Sequence, residues 1–71
     1  MKTEQQIKKL IELKAAKYKL MGDPDPKAAA IFAVEGVLNM YRNEKEHLAQ
    51  LLDEEIDDAI KAGLQAARMA A

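Results

Sequence analysis

Seventy-one residues with a formal net charge of −1 leave room for one small domain, whose core buries only about 60% of the surface that its unfolded chain exposes. The chain has no cysteine, so neither a disulfide nor a thiolate-bound metal braces that core, and self-association is the expected supplement in a reducing, cytoplasmic setting. The longest apolar run, Ala28 to Val34, is seven residues against the roughly 20 that cross a bilayer, and the lysines near the amino terminus are followed by Glu12 and Lys14 rather than by the continuous apolar stretch of a signal peptide.

Taken in chain order, Ile7, Leu10, Ile11, Leu13, Tyr18 and Leu20 recur at spacings of three and four with lysines between them, which predicts an amphipathic helix over 3–21. Thr3 and Gln6 stand at capping-box spacing, and Gly22 is placed to close the helix in a left-handed conformation. Gly22-Asp23-Pro24-Asp25-Pro26 is the strongest backbone punctuation in the sequence and predicts a turn over 22–26, because two prolines a residue apart remove N–H donors and disfavour helical geometry before them. Asp25 then suits the cap of a second helix, with Pro26 at its first position.

From Ala28 to Tyr41 the apolar positions form a face wider than one partner helix needs. The stripe Val34, Leu38, Tyr41, Leu48, Leu52 passes Asn43 without a change of phase, so the second helix is expected over 26–52. Asp53, followed by Glu54, Glu55 and Asp57, suits the start of a third helix over 54–69. The competing arrangement is one continuous helix from Pro26 to about Met69. Either way the fold class is all-α, a helical hairpin about Gly22 to Pro26 that is expected to dimerise into a bundle.

Charge is unevenly placed. Residues 1–20 hold six lysines and two glutamates, a balance of +4, while residues 21–71 balance at −5. Mutual neutralisation between packed helices accounts for this. A second reading makes Lys8, Lys9, Lys14, Lys17 and Lys19 a nucleic-acid contact, although the acidic remainder would repel the same phosphates.

Catalytic chemistry is largely excluded. Serine is absent, and the only threonine is Thr3, so there is no nucleophile with a base partner. Three scattered glycines, Gly22, Gly36 and Gly63, build no phosphate-cradling loop. Glu44 and His47 have the Glu-x-x-His spacing by which helical bundles hold metal ions, with Glu12 or Glu35 as bridging candidates, but His47 lies beside the apolar stripe and reads as solvent-facing. The acidic cluster from Asp53 to Asp58 lacks the alternating ligands and central glycine of a calcium loop. No catalytic residue, cofactor or metal is therefore expected.

The lysine-rich first segment, the Gly22-Asp23-Pro24 turn and the second segment ending Leu38-Asn39-Met40-Tyr41 resemble the small helical-hairpin phosphatases that dephosphorylate response regulators in spore-forming bacteria. That resemblance implies a helical hairpin. It carries no activity across, because the family's Ser-Gln-Glu-Leu-Asp signature is replaced by Ile31-Phe32-Ala33-Val34-Glu35. The expected function is a non-catalytic, self-associating interaction module of a small bacterial or phage-type protein. Val34, Leu38, Tyr41, Leu48 and Leu52 are its expected contact stripe, with a homodimer favoured, an unidentified protein partner and no membrane.

Overall fold

Gly22 adopts a φ of +84°, and around it the first helix ends in a double hydrogen-bonded closure. The Gly22 N–H donates to the Lys19 carbonyl at 3.1 Å and the Asp23 N–H to the Tyr18 carbonyl at 2.9 Å, the pattern that satisfies orphan carbonyls when the terminal residue is left-handed. The computed structural model describes the backbone of residues 2–70 and the side chains of residues 3–65. Among these, three α-helices follow in order: α1 (Lys2–Leu20), α2 (Pro26–Met40) and α3 (Leu48–Ala70), with a 3-10 turn at Lys45–His47 before the last.

Helix α2 begins as its sequence predicts. The Asp25 carboxylate accepts from the Ala28 N–H at 3.3 Å, Pro26 occupies the first turn, and the Asp25 N–H donates to the Asp23 carboxylate at 2.9 Å. Helix α1 begins differently from expectation. Gln6 is not a capping partner of Thr3; its side chain turns inward, is 6% exposed and bonds to α3.

The expected helix over 26–52 is broken. Helix α2 stops at Met40, residues 41–44 turn, and α3 starts at Leu48 rather than near Asp53. The stripe that runs through Asn43 in phase is thus divided between two helices. The reason is reach: fifteen residues at 1.5 Å each already run back along most of the nineteen-residue α1, and a continued helix would carry Leu48, Leu52 and Ile56 past anything they could pack on. The polar segment Arg42-Asn43-Glu44 lets the chain reverse, with the Glu44 N–H donating to the Tyr41 carbonyl at 2.8 Å.

Helix α1 is the central element. It packs against both α2 and α3, whereas no α-carbon of α2 comes within 8 Å of α3. Residues early in α1 meet residues early in α3, as Gln6 meets Ala49 and Asp53, so these two helices run parallel and α2 returns between them in sequence. Leu10 of α1, Val34 of α2 and Leu52, Ile56 and Ala59 of α3 form the buried cluster, bordered by Ile7, Ile11, Leu13, Leu38 and Leu48. The α-carbons span 40 × 21 × 20 Å.

Candidate functional site

Helix α2 carries two charged residues in fifteen, Lys27 and Glu35, and its apolar side chains point both ways. Ala30 and Val34 are buried against α1. At 100° per residue, Phe32 lies on the side opposite them. It is 80% exposed, and Met40, two turns further on, is 66% exposed. Ala28 and Gly36, which complete this row at four-residue spacing, are exposed as well. A helix that is apolar all round belongs inside a core, yet α2 is covered on one side only.

The first half of α3 solves the same problem in the usual way, although Ile60 and Leu64 further along it and Leu20 at the end of α1 are exposed. Helix α3 turns Leu52, Ile56 and Ala59 inward and leaves Asp53, Glu54, Asp57 and Asp58 exposed. Its seam with α1 holds the buried Gln6 amide, whose Nε2 donates to the Ala49 carbonyl at 2.9 Å and to the Asp53 carboxylate. The amide oxygen is buried with no partner. Flipping the amide would set that oxygen against two acceptors, so the orientation is fixed by its neighbours.

At the far end of α2, the Tyr41 hydroxyl donates to Glu55 of α3 at 3.0 Å. This bond, reinforced by burial and by the negative charges of Glu55, Glu54 and Asp58, holds the phenol above its usual value of 10.0, because the protonated form is the one that can donate to a carboxylate. Tyr41 thus ties the end of α2 to α3 by a polar bond, beside the apolar cluster that Val34 shares with Leu52 and Ile56.

The sequence-predicted contact stripe is taken up inside the chain. Val34 and Leu52 are 1% and 0% exposed, Leu38 and Leu48 pack on the same cluster, and Tyr41 is half-buried in its bond to Glu55. Apolar residues in phase across a loop meet each other before they meet a second molecule. The outward pair Phe32 and Met40 belongs to the wide apolar face noted in the sequence, whose excess width was the available signal.

The five candidate lysines do not share one face. Lys8, Lys9 and Lys19 are exposed, while Lys14 and Lys17 are half-buried along the seams of α1, where their stems cover apolar surface. Glu44 and His47 fall in the turn and the 3-10 segment rather than on one α-helix, and both are exposed, as are Glu12 and Glu35 on the other helices. Among the described residues no group of three or more His, Cys, Asp or Glu side chains converges on a metal-sized site, and no helix is long and apolar enough to cross a membrane.

No protein-family model, curated protein or solved structure matches this chain.

Proposed function

We propose that this chain is a non-catalytic protein–protein interaction module that docks an apolar helical surface through the outer face of α2. The observation that carries the reading is Phe32, a large aromatic side chain 80% exposed in the middle of a helix that holds two charges. Aromatic side chains in apolar surroundings are the usual anchors of helix-in-groove recognition. The absence of serine and cysteine from the sequence supports a binding role over covalent catalysis.

The test is selection from a displayed library of amphipathic helical peptides. The wild-type chain is expected to enrich peptides with an apolar row at three- and four-residue spacing, and Phe32→Glu is expected to enrich none while keeping its helical circular dichroism. Enrichment that survives Phe32→Glu would sink the proposal.

A further inference from the structure

Every fourth residue of α3 from Leu48 to Leu64 is a branched aliphatic: Leu48, Leu52, Ile56, Ile60 and Leu64. Leu52 and Ile56 are 0% and 7% exposed in the seam with α1, while Ile60 and Leu64 beyond them are 38% and 57% exposed. A stripe that repeats every four residues specifies no register of its own. A screw movement of α3 by four residues, about 6 Å along its axis and about 40° around it, sets each of these side chains in the place of the one before it. We infer that the α1–α3 seam has two registers one turn apart, and that the bond from Tyr41 to Glu55 is the latch that holds the observed one.

The polar and small residues of the seam repeat along with the stripe. Under the movement Asp57 takes the place of Asp53 beside Gln6, and the carbonyl of residue 53 takes that of Ala49, so the buried amide keeps both of its acceptors. Gly63 replaces Ala59, a change that adds no bulk. Packing at Leu48 is given up and packing at Leu64 is gained, which leaves the apolar burial close to balanced.

The connection sets the direction. Residues 41–47 now join α2 to α3. A slide of α3 toward its own amino end lengthens that connection by four residues, whereas the opposite slide would leave three residues to span the same gap. The sequence also carries an unused helix start. Helix α3 has no acidic residue in its present first turn, but once residues 48–51 join the loop, Asp53 stands at the cap with Glu54 and Glu55 behind it, where the helix dipole favours negative charge.

One bond tells the registers apart. The Tyr41 hydroxyl donates to Glu55 at 3.0 Å, and in the slid register Ala59 stands in the place of Glu55 and accepts nothing. Since no α-carbon of α2 comes within 8 Å of α3, the slide meets no close-packed backbone on that side. One-turn ratchets of one helix along another are an established form of switching.

The experiment measures two nitroxide distances, each between one label on α1 and one on α3. The labels are carried by Lys8→Cys with Lys61→Cys and by Lys19→Cys with Asp58→Cys, all at exposed positions. Position 61 lies ahead of position 8 along the parallel helices and position 58 lies behind position 19, so the slide reduces the first axial offset by about 6 Å and increases the second by about 6 Å. The chain with Tyr41 intact is expected to give one distance per pair. Tyr41→Phe, and Glu55→Ala from the other side of the bond, are each expected to raise the share of the slid register about tenfold, as loss of a hydrogen bond to a charged acceptor predicts. Adding Ile60→Asp is expected to remove the second population, because residue 60 is part-exposed in the observed register and takes the buried place of Ile56 in the other.

Unchanged single distances in both latch variants would overturn the second register. So would a second population that moves both pairs in the same sense, or one that survives Ile60→Asp. Two populations of equal weight with and without Tyr41→Phe would overturn the latch.

Discussion

Helices α2 and α3 lie on either side of α1 and face the same packing problem, but only the first half of α3 completes its solution within the chain, since Ile60 and Leu64 beyond it are exposed. Its inward Leu52, Ile56 and Ala59 are matched by outward aspartates and glutamates. Helix α2 buries Ala30 and Val34 and leaves Phe32 and Met40 in water. Amphipathic patterning makes a helix content with one neighbour, and its absence in α2 is what directs attention to a second molecule.

The largest expected contrast is between two single truncations. Leu52→Ala removes a fully buried side chain and should cost about 2–5 kcal/mol, a large part of the roughly 4–11 kcal/mol total expected for a domain this size. Phe32→Ala should shift fold stability by about 0.5 kcal/mol or less when measured dilute enough to exclude association. Urea denaturation of both variants checks the pair, and a Phe32→Ala loss as large as that of Leu52→Ala would place Phe32 in the fold rather than on a docking face.

A smaller effect sharpens the account of the α1–α3 seam. Gln6→Leu replaces an amide with an unpartnered buried oxygen by an apolar group of similar size, and leaves the exposed Asp53 to water. The same substitution also removes the bonds that the amide donates to Ala49 and Asp53, so its net effect should lie within about 1 kcal/mol of the wild type, whereas Gln6→Ala should destabilise by about 1–3 kcal/mol through the space it leaves. Thermal melts should place Gln6→Leu near the wild type and Gln6→Ala clearly below both.

The smallest effect lies at the tie between the two flanking helices. Because the Tyr41 phenol is raised in the folded state, its contribution is fully present below the unfolded value near 10 and is lost as pH rises from there through the folded value. Stability should therefore fall in alkali more steeply in the wild type than in Tyr41→Phe, with the curves close together at neutral pH. Parallel curves above pH 10 would mean that the bond to Glu55 does not persist in solution.

Several of these features were legible as sequence. The end of α1 at Gly22 and the start of α2 at Asp25-Pro26 follow from chemistry confined to four or five residues, and both appear in the expected form. Gln6 was misplaced because an i, i+3 pairing with Thr3 looks the same whether the amide caps the helix or enters the core; only the position of α3 draws it inward to Ala49 and Asp53. The break after Met40 escaped because Asn43 interrupts neither the apolar phase nor, by itself, the helix.

By itself, then, the sequence determined that this chain is helical, where its first turn falls, and that its second helix has more apolar surface than one neighbour can cover. Those properties reside in backbone preference and composition, which act over a few residues. Only the tertiary structure decided that Leu52 packs with Leu10 inside one chain and that Phe32 is the side left outside. A helix apolar all round has no preferred inward face until another helix supplies one, and here the loop at residues 41–44 decides which residues α1 can reach.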